Sequence, residues 1–316
     1  MPVKSPHSLK QKSSRTERVT LATPALRLEL APGIGGGITR FDWMRGTDAV
    51  PLFRPVEQAR VADPTELACF PLVPYSNRIA NGRFVFEGRE VDVAPNRADE
   101  RFPLHGSGWL KAWTVEAATG TSATLSLVER GRPYAFYAAQ HFEVVDTTLT
   151  VRIEVENRGK VALPFGIGLH PFLPRTPQTL LLAPATGMWQ SGRDWLPTRH
   201  LHTPAAYSYG IAYPLPGRMV NHAFTGWMGR ARVLWPELGL ALDVAADTDQ
   251  YLLYTPERKD WFCFEPVDHP VNAVNLPGGA VAHGMTALGP GQRLERTFRF
   301  TADLFATISL FQPRAD

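Results

Sequence analysis

Residues 161–172 read Val161-Ala-Leu-Pro-Phe-Gly-Ile-Gly-Leu-His-Pro-Phe172. Val161, Leu163, Phe165, Ile167 and Leu169 alternate with Ala162, Pro164, Gly166 and Gly168. That period of two predicts a strand with one face in a core. The other face carries almost no side chain, so a second body can approach the backbone closely there. We read it as a floor under a ligand, with the imidazole of His170 at its edge and Pro171 ending the ladder. A lone strand-end histidine is more often structural than functional, so the rest of the chain has to decide.

Outward from this stretch the chain is a succession of strands. Before it, Thr148-Leu-Thr-Val-Arg-Ile-Glu-Val-Glu-Asn157 places Leu149, Val151, Ile153 and Val155 on one face and polar residues on the other. That is the pattern of a half-buried antiparallel strand. Asp146-Thr147 joins it to Gln140–Val145, and Trp113–Glu116 and Ala123–Val128 precede these. Further back, Arg83–Val93 reads as a hairpin turning near Glu87-Gly88. Residues 57–70 leave room for one short helical turn. The glycine cluster Gly33-Ile-Gly-Gly-Gly37 precedes another strand rather than a helix, so it is a turn or bulge and not a phosphate loop. After the opening stretch, strand patterns return at 231–235, 238–244, 250–254, 261–265 and 292–300. No segment keeps a helical period beyond a turn or two. A dozen or more short strands with turns roughly every 8–12 residues predict an all-β fold, a sandwich or barrel.

The 28 prolines and 26 glycines are spread evenly, which gives no sign of a linker. We therefore expect a flexible basic leader over residues 1–18 and one β-sandwich domain over 19–316. The net charge is only +3, and part of it lies in Lys4, Lys10, Lys12, Arg15 and Arg18 of that leader. Nucleic acid is thus not an expected partner. No apolar run approaches the ~20 residues that span a bilayer, and the basic leader lacks the apolar stretch of a secretory signal. Cys69 and Cys263, the two cysteines, make neither a disulfide framework nor a zinc site, so a reducing cytoplasm is the expected location.

Glu265 ends the apolar strand Trp261-Phe-Cys-Phe-Glu, on the face of Trp261 and Cys263, and Pro266 follows it as Pro171 follows His170. Such a carboxylate either pairs or is pushed toward its neutral form. Asn77 and Arg78 sit in a proline-bounded loop, where a guanidinium can fork its hydrogen bonds onto a polyhydroxyl or anionic ligand. His105 lies in a glycine-rich loop, outside any packed pattern. Trp227 is the first choice for an exposed, sugar-stacking aromatic. His200 and His202 share a face but lack a third metal ligand at fitting spacing. Asp268-His269 is read as a turn.

Six short motifs in order, Asn77-Arg-Ile79, Leu104-His-Gly106, Gly168-Leu-His-Pro-Phe172, Asn221-His-Ala-Phe-Thr-Gly-Trp227, Phe264-Glu-Pro266 and Leu288-Gly-Pro-Gly291, resemble the aldose 1-epimerase (galactose mutarotase) family from about residue 20 to 302. The resemblance implies a large antiparallel β-sandwich of the mutarotase type, no cofactor, and interconversion of the α and β anomers of a free monosaccharide. By the same resemblance Glu265 takes the place of the catalytic base, His170 that of the acid, and Arg78 and His105 those of sugar ligands, with Asn77 beside them. Asn221 stands where family members commonly carry Asp, which bears on substrate preference rather than chemistry. The chain is expected to act as a monomer or homodimer without a membrane. Two alternatives remain open here: a noncatalytic sugar-binding protein on the same fold, and an epimerase of hexose phosphates or other acidic sugars. The latter needs a cationic pocket, for which Arg97 and Arg101 are the candidates.

Overall fold

A computed structural model describes residues 18–56, 61 and 63–305; the expected leader, apart from Arg18, lies outside the described residues. Its architecture is an antiparallel β-sandwich. The first large sheet is built on the hairpin of Phe136–Val145 and Thr148–Asn157, which turns at Asp146 as the sequence predicts. Arg293–Leu304 and Leu240–Ala246 extend it on one side, Ser122–Glu129 and Thr114–Ala118 on the other. The second sheet runs Pro197–His202, Gly187–Ser191, Val220–Thr225, Gln250–Thr255, Trp261–Val267, Gly168–Leu169 and Pro71–Leu72, with Phe172–Pro174 also pairing with Trp261–Val267. The expected hairpin of 83–93 forms between Arg83–Phe86 and Arg89–Asp92, and the expected helical turn is Pro64–Glu66.

Strand alternation explains the layers. From the second sheet Phe224, Tyr251, Leu253, Phe262 and Phe264 point inward to meet Val151, Ile153, Leu242 and Phe298 of the first in one buried core. The odd residues of the same strand, Cys263 and Val267, point away. They join a second, smaller apolar cluster with Phe70, Leu72, Leu104, Trp109 and Phe172, which loops from 63–72 and 96–110 cover. The second sheet is therefore apolar on both faces, and only its outer face is left to loops.

Three expectations are corrected. Trp227 is not exposed: it is 2% accessible, its ring meets Tyr251 and Phe264 edge-on, and its Nε1 donates to the Arg230 carbonyl at 2.6 Å. The opening stretch is not one continuous strand. Leu163–Phe165 pairs with Thr286–Leu288, whereas Gly168–Leu169 belongs to the second sheet. The break falls at Gly166-Ile167 because their N–H groups are drawn to the Pro74 carbonyl and the Asp268 carboxylate. Nor is the bare face a floor for ligand. A Cβ on Gly166 would lie 2.3 Å from the His269 ring, and one on Gly168 would lie 2.8 Å from the Val267 side chain. The body that approaches the glycines is the protein's own 266–269 segment.

Candidate active site

The ladder does not stop at Pro266, as sequence suggested; it runs to Val267. Gly168 stands opposite Val267 and Phe172 opposite Cys263, a common register that sets His170 directly across from Glu265. Trp261–Val267 stays paired with Gln250–Thr255 through Glu265 and Pro266, whereas its pairing with the 168–174 segment is interrupted between Gly168 and Phe172, where Pro171 has no N–H to give. Cross-strand neighbours on one face meet, and His170 Nε2 lies 3.3 Å from Glu265 Oε1. Both residues are buried, and His170 Nδ1 and Glu265 Oε2 have no protein partner.

Burial governs their protonation. It pushes the Glu265 carboxyl up to about 8, although the Arg78 guanidinium pulls it back, and it pushes the His170 ring down to about 3, helped by Arg54. Both directions follow from the cost of charge in a dry site. Around neutral pH the pair thus holds one proton between its two members. Phe70 and Phe172 flank the His170 ring at centroid distances of 4.5 and 4.7 Å and fix its plane.

Two loops bring the other predicted residues to this pair. Asn77 and His105 both take the left-handed backbone, with φ of 57°, and are tied to each other. The His105 N–H donates to the Asn77 carbonyl at 2.9 Å, and the Asn77 N–H donates to His105 Nδ1 at 3.0 Å. An Nδ1 that accepts carries no proton, and burial holds this ring well below the usual histidine range. The neutral ring therefore keeps its hydrogen on Nε2. Asn96 locks the loop by donating to the carbonyls of Leu104 and Gly106, and Trp109 Nε1 donates to the same two. Next to Asn77, Arg78 forks onto Glu100: Nε donates to Oε2 at 3.1 Å and Nη2 to Oε1 at 2.8 Å. Its Nη1 donates to Asn77 Oδ1 at 3.3 Å.

All six predicted residues, His170, Glu265, Asn77, Arg78, His105 and Asn221, line one cleft of about 470 Å³ over the second sheet. Asn221 reaches it from Val220–Thr225, across the ladder from Tyr254. The cleft also takes Glu100, Arg54, Phe172, Trp195, Tyr254 and Trp261. Sequence reasoning did not mark Glu100 or Arg54, because a loop residue in a polar run has no period to betray its partner. Arg54 lies 3.9 Å over the Phe172 ring and 4.9 Å over Trp261, and donates to the carbonyls of Thr65 and Leu67. The proposed cationic pair fails: Arg97 is spent on Asp63 and Asp99, and Arg101 lies over Phe102; neither lines the cleft.

Asp268-His269 is not a surface turn but a buried support. Asp268 accepts the Ile167 N–H and the Arg296 guanidinium; His269 accepts the Ser76 N–H on Nε2 and donates from Nδ1 to the Pro270 carbonyl. Among the described residues, one group of donors lies within 4.8 Å of one another, His170, Cys263 and Glu265. Burial drives the Cys263 thiol well above its ordinary value, so on its own it stays protonated beside Glu265.

A family profile described as aldose 1-epimerase matches residues 17–301. The chain belongs to the aldose 1-epimerase family. Among relatives in this family, the uncharacterised Escherichia coli K12 protein YphB is 34% identical over 283 residues, covering 86% of this chain and 94% of YphB. A crystal structure of an Escherichia coli K12 protein provisionally assigned as an aldose 1-epimerase superposes with a TM-score of 0.84 at 32% identity, covering 92% of this chain and 99% of that one. A galactose mutarotase-like protein from Clostridium acetobutylicum shares the fold at a TM-score of 0.78 and 14% identity, over 90% and 95% of the two chains. The epimerase-family chain is thus an all-β sandwich of the galactose mutarotase type, and among its described residues no helix is long and apolar enough to cross a membrane.

Proposed function

We propose that the cleft opens and recloses the ring of a free aldose, interconverting its α and β anomers. The observation that carries this reading is the His170–Glu265 pair, opposed at 3.3 Å, buried, and with two polar atoms left without protein partners. A purely structural pair is normally hydrogen-bonded throughout, since a buried unpaired polar atom costs roughly 1–3 kcal/mol.

The chemistry needs one proton on the pair. In the form with the proton on His170, the Glu265 carboxylate takes the hydrogen of the anomeric hydroxyl. His170 gives its proton to the ring oxygen as the C1–O5 bond breaks. The aldehyde turns about C1–C2, and the same two groups return their protons in reverse, so the pair ends as it began. The Nε2–H of His105 and the free N–H groups of Arg78 are donors for sugar hydroxyls, and Asn221 can both donate and accept. A noncatalytic sugar binder has no use for the shared-proton pair. An acidic-sugar epimerase finds Arg78 already neutralised by Glu100. The test is the anomerisation of freshly dissolved α-aldoses, followed by an anomer-specific coupled assay with the spontaneous rate subtracted. A purified protein that accelerates none of a panel of free aldoses would overturn the reading.

A further inference from the structure

We propose that Glu100 is a positioning and specificity-determining residue, which orients the Arg78 guanidinium and cancels its charge so that the cleft accepts neutral sugars over anionic ones. The inference rests on the reading of the cleft as a site of ring opening and adds a residue that the family motifs do not include.

The geometry is that of a clamp. Glu100 takes the Nε and Nη2 edge of Arg78 with three contacts between 2.8 and 3.1 Å, and Asn77 Oδ1 holds Nη1 from the other side. A guanidinium is planar, so fixing two of its edges fixes the directions of its remaining N–H groups. Arg78 is 13% and Glu100 24% exposed at the side chain, and both line the cleft, so the pair is partly desolvated and its mutual charge cancellation is felt inside.

The charged and titratable groups around the pair make the consequence specific. Glu265 stands across the ladder from His170, acts on the thiols of Cys69 and Cys263, feels the charge of Arg78, and shares the cleft lining with Arg54, His105 and Tyr254. Arg78 favours the ionised form of Glu265 and the neutral form of His105. By Coulomb's law the Glu100 carboxylate, held on that same guanidinium, works against both effects. Removing its charge should raise the positive potential at Glu265, make the shared proton easier to lose, and welcome an anionic substituent on the sugar.

The test compares wild type with Glu100→Gln and Glu100→Asp on glucose or galactose and on glucuronate or glucose 6-phosphate. For Glu100→Gln we expect KM for the neutral sugar to rise several-fold. The ratio of kcat/KM for anionic over neutral sugar should rise at least ~10-fold, and the alkaline limb of kcat should move to lower pH by roughly half a unit or more. Glu100→Asp, which keeps the charge, should restore the selectivity and the limb even where its shorter reach leaves KM raised. A Glu100→Gln enzyme with unchanged selectivity and an unchanged alkaline limb would overturn the proposal, as would Glu100→Asp behaving like Glu100→Gln in both. If wild type anomerises no sugar, calorimetric binding of galactose and glucuronate to the same three proteins reads the selectivity without turnover. An unchanged binding ratio there overturns the role of Glu100 on its own.

Discussion

Two buried acid and histidine pairs lie a few residues apart in this molecule, and they are built to opposite rules. At Asp268 and His269 each carboxylate oxygen and each ring nitrogen has a protein partner, drawn from Ile167, Arg296, Ser76 and Pro270. At His170 and Glu265 the side chains face one another, yet one ring nitrogen and one carboxylate oxygen have none. Both pairs sit beside the same strand ending at Val267, so burial alone does not separate them. Completeness of hydrogen bonding does. A satisfied buried network rigidifies a fold, whereas an incomplete one is tolerated where a ligand's groups enter the scheme.

The comparison is broken or sharpened most strongly by removing one member from each pair. Glu265→Gln and His170→Ala should each lower the catalysed anomerisation rate by at least ~10², the lower end of a general acid or base contribution, with little loss of stability. Near-wild-type rates in either would place the chemistry elsewhere. Asp268→Asn should do the reverse. It strips the charge that Arg296 faces at a 2% exposed side chain, and should cost roughly 2–4 kcal/mol in denaturant midpoint analysis while kcat per folded molecule stays close to wild type. Loss of turnover without loss of stability would mean that the satisfied pair also takes part in catalysis.

The two pairs should also differ in how pH reads out. Activity needs one proton on His170 and Glu265 together. With the ring pushed down to about 3 and the carboxyl up to about 8, the profile should be a broad plateau, its acid limb well below an ordinary histidine and its alkaline limb near 8. A narrow bell centred between ordinary carboxylate and histidine values would contradict it. Stability carries the same signature. Glu265 has a folded value above its unfolded one, so its contribution is full below about 4.5 and is lost as pH rises toward 8. Glu265→Gln should therefore melt at progressively higher temperature than wild type across that window, and a constant difference would show that the carboxyl does not titrate there.

The smallest expected effect is at Asn221, which lines the cleft from the strand Val220–Thr225, across the ladder from Tyr254. An aspartate there would strengthen a hydrogen bond to a sugar hydroxyl and add a repulsive charge. Asn221→Asp should raise kcat/KM for glucose or galactose several-fold relative to an acidic sugar. An unchanged ratio would remove Asn221 from substrate contact.

The sequence alone determined the all-β strand pattern and marked six of the residues that line the cleft. Period-two patterns, paired turns and the absence of a helical period are local properties of the chain, and they carried through to an antiparallel sandwich. His170 and Glu265 were visible because each ends an apolar run and precedes a proline, and the tertiary register shows why: the two missing N–H groups flank one cross-strand pair. What only the tertiary structure decided concerns partners distant along the chain. The bare face of the 161–172 stretch is filled by His269 and Val267, Trp227 is sealed between Tyr251 and Phe264, Asp268 and His269 are a pillar, and Arg78 is gripped by Glu100. Periodicity tells which face of a strand is covered. It carries no information about which of 316 residues does the covering, because that choice is made by sheet order and loop path, and those are set by the packing of the whole core.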